Sequence, residues 1–265
     1  MGETPAALPR FETLEAAPGW TAVDFISDLH LSEQTPRTFE CWAHYLRGTP
    51  ASAVIILGDL FEVWVGDDAR HAGFEARCAA VLAEAAARRA VTFTCGNRDF
   101  LVGDAMLAEC GVRALPDPAV LVAFGRRFLL SHGDALCLAD HDYQVFRALV
   151  RGAPWQRDFL ARPLEERQQL ARQMRDHSEQ RKHGMAVQDW VDIDQPTALR
   201  WMRAARTPVL IHGHTHRPAH ESLAPGYARE VLSDWDCEGA HGAPRAEVLR
   251  LTPDGALTRL PIVHA

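Results

Sequence analysis

Five short apolar runs in this chain each stop on a residue that can bind a metal: VDFIS before Asp28, VIILG before Asp59, VTFTCG before Asn97, RFLLS before His132 and PVLIHG before His214. His30 and His216 follow Asp28 and His214 with one residue between, so the same loops hold seven oxygen and nitrogen donors. Seven is too many for one ion. They divide naturally between two ions that share a carboxylate, and Asp59 is the middle candidate for that bridge. Carboxylates, imidazoles and one amide oxygen suit Mn²⁺, Fe²⁺, Co²⁺ or Zn²⁺, and the set lacks the thiolates that select zinc or iron–sulfur clusters. Two ions about 3.5–4 Å apart serve displacement at phosphorus, where one prepares a hydroxide and both offset charge on the phosphoryl oxygens. The pattern predicts hydrolysis of a phosphoester or phosphoanhydride.

Each piece alone has a bland reading. Asp-x-His is common in loops, Gly-Asp after a strand often marks a turn, and Gly96-Asn97-Arg98-Asp99 passes for another. HGHTH at 212–216 is stronger: alternate residues of an extended segment place His214 and His216 on one side and His212, read as structural, on the other. What positions them follows from the runs themselves. Short stretches rich in β-branched residues are buried strands, and in open α/β sheets the ligand crevice lies outside their carboxyl ends. Helical runs at residues 36 to 48 and 73 to 90, the second Ala-rich, alternate with these strands. AVLVAF, RFLLSH, AREVLS, AEVLRLT and ALTRLPI add further strands, with turns at Gly125 and Pro253-Asp254-Gly255. The expected class is α/β, a two-sheet core wrapped by helices.

At 265 residues with 47% hydrophobic side chains, the chain can bury a sizeable core as one domain with an appended lobe. Its formal charge of −7 argues against a general nucleic-acid binder, which presents an excess of basic groups. The six cysteines are scattered without a CxxC pair, as expected of free thiols in a reducing cytoplasm. No apolar stretch approaches the roughly 18 residues of a membrane-spanning helix. The first 20 residues lack a basic segment followed by an apolar one and are read as a frayed leader, unordered in part, not as a signal peptide.

From about Asp140 to Trp190 the strand rhythm stops. Residues 141–152 and 154–182 read as helices, with Leu160, Leu164, Leu170 and Met174 at helical spacings behind Trp155 and Phe159 to form one apolar face. Between 147 and 182 nine basic residues stand against five acidic ones, a local +4 within a chain of −7. A cationic amphipathic insert can lie at an anionic membrane surface or cover a lipid substrate. Its plain alternative is a lobe with a solvated charged face.

In order over residues 28 to 216, DLH, GDLFE, GNRD, HGD and GHTH resemble the calcineurin-like metallophosphoesterases. The longer strings GDLFEVWVGDD, GNRDFL, SHGDALC and IHGHTHRP are similar to those of the bacterial UDP-2,3-diacylglucosamine hydrolases of lipid A synthesis, from about residue 22 to the C-terminus. The resemblance implies an αββα sandwich over residues 21–139 and 191–265 behind the leader at 1–20, and a helical cap at 140–190 whose apolar interior holds acyl chains. It implies Asp28, His30, Asp59 and His216 around one divalent ion and Asp59, Asn97, His132 and His214 around the other, with Mn²⁺ the metal expected first. Catalytic roles fall on Asp59, Asn97, Arg98 and His214. Substrate contacts fall on Asn97, Arg98, Asp140 and His214, and on Ser178 and Lys182 in the cap. The family's further cap lysine falls on Met185 in an ungapped count.

Arg98 adds chemistry of its own. Many metallophosphoesterases carry a His here that can protonate a leaving alkoxide. Arg, with a pKa above about 12, can only clamp and neutralise phosphate. A phosphate leaving group has a second pKa near about 6 and departs without help, so Arg98 favours cleavage of a diphosphate. The implied activity is hydrolysis of the diphosphate of UDP-2,3-diacylglucosamine to UMP and the 1-phosphorylated diacylglucosamine. It would proceed by attack on the phosphorus next to uridine, in a protein peripheral to the cytoplasmic face of the inner membrane and without an obligate protein partner. Asp99 is read as orienting groups behind the ligands. Hydrolysis of dinucleoside polyphosphates or cyclic nucleotides is the alternative, and the cap counts against it. A non-catalytic scaffold would have lost ligands that all stand here, and a nuclease would want a broad basic groove.

Overall fold

The computed structural model describes residues 7–182, 191–240 and 242–262, with side chains described as far as Met174 in the longest helix. In chain order the elements are β1 (Glu12–Glu15), β2 (Val23–Ile26), α1 (Pro36–Gly48), β3 (Ala53–Leu57), α2 (Gly73–Ala86), β4 (Ala90–Thr94), α3 (Asp104–Cys110), β5 (Arg113–Ala114), β6 (Ala119–Ala123), β7 (Arg126–Ser131), α4 (His141–Val150), α5 (Ala153–Leu160), α6 (Leu164–Lys182), α7 (Gln195–Ala205), β8 (Val209–His212), β9 (Ala219–Ala224), β10 (Tyr227–Val231), β11 (Glu247–Leu251) and β12 (Leu257–Pro261). They build two six-stranded sheets, ordered β1-β6-β7-β8-β10-β9 and β12-β11-β2-β3-β4-β5. The pairs β2/β3, β3/β4, β7/β8 and β8/β10 are parallel, so β2, β3 and β4 open their carboxyl ends on one side of one sheet, and β7 and β8 share theirs in the other.

Strand alternation decides what each run packs against. Val23, Phe25, Ile55 and Leu57 meet Leu121, Phe128, Leu130 and Ile211 of the opposite sheet. Their neighbours Ile26, Val54 and Ile56, with Val91 and Phe93, face outward onto Trp42, Leu46, Leu82 and Met106 of α1, α2 and α3. On the other outside, Val120, Leu129 and Leu210 pack against Ala198, Trp201 and Met202 of α7. Three apolar layers thus interleave with two sheets, giving αββα. Strands buried on both faces read as continuous apolar runs, which is why these segments show no polar alternation. Asp24 is the exception inside β2. It lies on the outward face, fully buried, and is held by Arg250 at 2.7 and 2.8 Å and by the hydroxyls of Tyr45 and Thr49, both at 2.8 Å.

Three expectations need correction. The leader is not frayed through residue 20: Glu12–Glu15 pairs in parallel with β6, and Leu14 enters the inter-sheet core at 3% exposure. ETLE carries one apolar residue, too little periodicity to announce an edge strand. The helix expected over 73 to 90 stops at Ala86, because the chain must turn before Ala90 pairs with Ala53. The single apolar face expected in the lobe is split. Pro163 separates α5 from α6, and Trp155, Phe159, Leu164 and Leu170 pack on the core, while Leu160 and Met174 are exposed.

Candidate metal centre

The turns after the strands leave through left-handed residues. φ is 55° at Asp28, 49° at His30, 52° at Asp59, 69° at His214 and 53° at His216, five of the seven non-glycine positive angles among the described residues. Asp and His tolerate this region better than branched residues do, yet each instance costs on the order of 1–3 kcal/mol. The loops compensate by cross-bonding. The carbonyl of Asp59 accepts the amides of Leu29 and His30 at 2.9 and 3.0 Å, and Asp28 donates to the carbonyl of Gly58 at 3.1 Å. Behind them Asp99, fully buried, accepts the amides of Gly96 and Leu60, each at 2.7 Å. Gly58 and Gly96 lie back to back: a Cβ on Gly58 would sit 2.6 Å from the Gly96 Cα and 2.7 Å from Nδ1 of His132. A side chain at either position would push apart the loops that carry Asp59 and Asn97.

All seven expected donors come together. Asp28, His30 and His216 form one group and Asp28, Asp59 and His132 another, the donor atoms of each group lying within 4.8 Å of one another. Nε2 of His30 is 3.3 Å from Nε2 of His216, which is 3.4 Å from a carboxylate oxygen of Asp28. Nε2 of His132 is 3.7 Å from Asp59 and 3.0 Å from Oδ1 of Asn97, which lies 2.8 Å from Nδ1 of His214. Asp28 is common to both groups, and Asp59 lies beside it in the second. His212 is buried, and burial carries it down to about 4, so it stays a neutral structural residue, as read.

Oxygens lie at the outer nitrogens of three imidazoles. Nδ1 of His132 lies 2.9 Å from the Leu57 carbonyl, Nδ1 of His30 lies 3.2 Å from Glu62, and Nδ1 of His216 lies 3.7 Å from Asp234. The two close contacts turn Nε2 of His132 and His30 toward the cluster, the arrangement that fixes a metal-binding tautomer, and the Asp234 carboxylate lies on the outer side of His216. Burial opposes ionisation of Asp28, but the hydrogen bond and charge of His216, with His132 and His30, hold it well below the ordinary carboxylate range. Burial would lower His132, but Asp59, Asp28 and Asp134 raise it to about 9. Burial, then the neighbouring Asp59, push Asp99 up to about 7.

Arg98 borders this cluster, its amide donating to Asp59 at 2.8 Å and its Nη1 to Glu62 at 2.6 Å. Asp140 stands apart: it caps α4, accepting the Tyr143 amide at 3.1 Å, and no hydrogen bond or ion pair joins it to the seven donors among the described residues. Ser178 and Lys182 lie on the last turns of α6, and their side chains, like all of Met185, fall outside the described residues. Sequence reasoning passed over several supporting groups. Glu62, third after Asp59 in GDLFE, holds both His30 and Arg98. Asp134 of HGD, fully buried, binds Arg147 at 2.7 Å, and Arg151 donates to the Gly96 carbonyl at 2.8 Å. Tyr143 stacks on His214 with ring centres 6.1 Å apart. α4 is therefore fastened to the loops that carry the donors. Asp234 had a readable signal, since it follows the apolar end of β10 as the other ligands follow theirs.

The calcineurin-like phosphoesterase family model matches residues 21–218. The chain is 43% identical over 244 residues to the UDP-2,3-diacylglucosamine hydrolase of Chromobacterium violaceum, covering 91% of this chain and 99% of that protein. It is 45% identical over 257 residues to that of Ralstonia nicotianae, covering 91% and 92%, and 44% identical over 216 residues to that of Aromatoleum aromaticum, covering 80% and 88%. The chain belongs to the calcineurin-like phosphoesterases and, within them, to the family of the UDP-2,3-diacylglucosamine hydrolases.

Proposed function

We propose that this chain hydrolyses the diphosphate bond of UDP-2,3-diacylglucosamine, releasing UMP and 2,3-diacylglucosamine 1-phosphate on the way to lipid A. The observation that carries the reading is the convergence of all seven donors on one crevice with Arg98 at its edge, in a chain 43% and 45% identical to relatives of that name.

The residues fit a pair of divalent ions. Two buried carboxylates need cationic compensation, and His132 and His30 offer Nε2 while oxygens hold Nδ1. Asp28, His30, Asp59 and His216 would hold one ion and Asp59, Asn97, His132 and His214 the other, with Mn²⁺ the metal proposed. Bound there, such a pair supplies Lewis acidity toward phosphoryl oxygens and lowers the pKa of water. The chain's own groups do the positioning. Glu62 fixes one arm of Arg98 and leaves the rest of its fork to clamp a phosphate oxygen. Asn97, between His132 and His214, is held to contact the same phosphoryl group. Because the leaving group is itself a phosphate, no proton donor is needed where Arg98 stands. Asp140, Ser178 and Lys182 complete the proposed substrate contacts.

Exposed Val145, Phe146 and Leu149 on α4, beside the basic surplus of the lobe, support peripheral attachment to the cytoplasmic face of the inner membrane, where an acylated substrate resides. No described helix is long and apolar enough to cross a membrane. The test is UMP release by metal-stripped protein resupplied with Mn²⁺, with unacylated UDP-glucosamine and Asn97→Ala as controls. Turnover that needs the metal, Asn97 and the acyl chains supports the reading. Equal turnover of the unacylated control would make this a general diphosphatase, and turnover of neither would exclude the activity.

A further inference from the structure

At the end of the sandwich away from the metal centre, three guanidinium groups gather without a carboxylate to pair them. β7 starts at Arg126 and β8 at Val209, and both strands run toward the crevice. The six residues of β7, at about 3.3 Å each, put Arg126 about 20 Å from His132. Here a cavity of about 390 Å³ is lined by Arg126, Arg127 and Arg206, with Pro208 and Val209 among its apolar residues. No acidic residue lines it, in a chain whose formal charge is −7.

Backbone, not carboxylate, positions these groups. Nη2 of Arg127 donates to the carbonyl of Ala205, the last residue of α7, at 3.1 Å, and its Nε is buried with no hydrogen-bond partner. Arg126 lies over Gly255, where a Cβ would come within 2.4 Å of the guanidinium carbon, and its Nη2 donates to the Asp254 carbonyl at 3.4 Å. The Asp254 carboxylate is taken up inside its own turn, by the Thr252 hydroxyl at 2.6 Å and the Ala256 amide at 3.1 Å. Arg206 follows α7 in the left-handed region, with φ at 55°. The dipole of α7 accounts for one cation at its carboxyl end, and Arg127 fills that role. Arg126 and Arg206 are then left to repel their neighbour around an open cavity unless an anion joins them.

A second cavity of about 590 Å³ adjoins the first through Arg126 and Val209 and lies between the sheets, since Glu230 comes from one and Leu249 and Leu257 from the other. Its own cation, Arg259, is paired with Glu230 at 2.9 Å and Glu247 at 2.8 Å. Unpaired positive charge thus belongs to the first cavity and apolar lining to the second. We propose that the two form one site for a soluble phosphorylated molecule, its phosphate held by Arg126, Arg127 and Arg206 and its uncharged body lying past Val209 toward Leu257. Guanidinium forks match phosphate oxygens in pairs, and a phosphate offers three oxygens to three arginines where a carboxylate offers two. The space is of the size that small ligands fill. A lipid headgroup fits the location poorly: exposed Val145 and Leu149 sit on α4, which is fastened at the carboxyl ends of the strands, and a flat membrane against that lobe does not reach the amino ends.

The test is titration calorimetry at fixed ionic strength on the Mn²⁺-loaded full chain. The probe is phenylphosphonate, which resists hydrolysis and carries an uncharged ring, with benzoate as the carboxylate control. The metal centre can also take a phosphonate, so the unaltered chain is compared with Asp59→Ala and with Arg126→Ser combined with Arg206→Ser. The expected result is binding in the unaltered and Asp59→Ala chains with Kd values within about twofold of each other. The arginine pair should weaken that binding at least about tenfold, with Mn²⁺ affinity and the urea midpoint unchanged. Binding that is lost in Asp59→Ala and kept by the arginine pair belongs to the metal centre and overturns the site, as does no binding at millimolar probe. Equal affinity for benzoate overturns the assignment to phosphate. Sedimentation with phosphatidylglycerol vesicles separates the other source: vesicle binding that the arginine pair abolishes would overturn the soluble ligand in favour of a lipid headgroup. None of these readouts depends on the acylated substrate.

Discussion

At the strand ends Asp28 and His132 are 0% exposed and Asp59 2%, each tied to a neighbouring loop by backbone or carboxylate bonds, whereas on α4 Val145 is 73% and Leu149 58% exposed to solvent. Beside the apolar packing of Trp155, Phe159, Leu164 and Leu170 on the core, the two regions meet through a few polar fastenings: Arg147 on Asp134, Arg151 on the Gly96 carbonyl, and buried Arg167 of α6 on Asp68 and the Val65 carbonyl. The crevice carries left-handed strain because its surroundings over-determine it. The lobe leaves apolar surface uncovered, which costs free energy in water unless something apolar covers it. The proposed chemistry is built where packing permits no adjustment, and the proposed recognition of an acyl chain falls where it does.

The contrast breaks first at Asp59. Asp59→Ala should lower kcat/KM by at least about 10³-fold in a steady-state UMP assay, and a loss under tenfold would mean the buried carboxylates are structural. Next comes a control inside the same strand layer. Asp24→Asn leaves half-buried Arg250 and the buried hydroxyls of Tyr45 and Thr49 beside an uncharged partner and should cost about 2 kcal/mol in urea unfolding, with Mn²⁺ affinity unchanged because Asp24 faces away from the crevice. Glu62→Gln, which frees both His30 and Arg98, should reduce kcat/KM by about 10–100-fold.

A smaller effect follows from proton competition. Asp59 and Asp28 raise His132 to about 9 against the opposing effect of burial, and the bound proton must leave before a metal binds. Below that value Mn²⁺ affinity should therefore rise about tenfold for each unit of pH, levelling off above about 9; calorimetry showing no pH dependence between pH 7 and 8 would contradict it. The weakest effect belongs to the lobe. Val145→Ser with Leu149→Ser should leave stability within about 0.5 kcal/mol per site. It should raise KM for the acylated substrate roughly fivefold, the worth of one or two methylenes at about 0.8 kcal/mol each. An equal rise for unacylated UDP-glucosamine would move these residues out of acyl recognition.

How much was legible varies by element. Asp28, Asp59, Asn97, His132 and His214 stood out because a donor at the end of an apolar run is a local pattern, visible without knowing what it faces. β1 was invisible because an edge strand buries one side chain in four and has no period to read. Glu62 and Asp134 sat inside recognised motifs without a role, because their partners His30 and Arg147 come from other segments. The lobe's helices were readable from spacing, but which of their apolar residues meet the core was not, since Pro163 redirects α6 relative to α5.

The sequence by itself determined the donor types, their order along the chain, the permanently protonated group at Arg98 and the alternation of strand and helix, since all of these are properties of residues and their near neighbours. Only the tertiary structure decided that Asp28 lies within reach of the donors of both groups and that Glu62 and Asp234 lie beside the outer nitrogens of His30 and His216. Those facts rest on distances of a few ångströms between remote segments, and such distances are set by how two sheets and their helices pack, not by any local propensity.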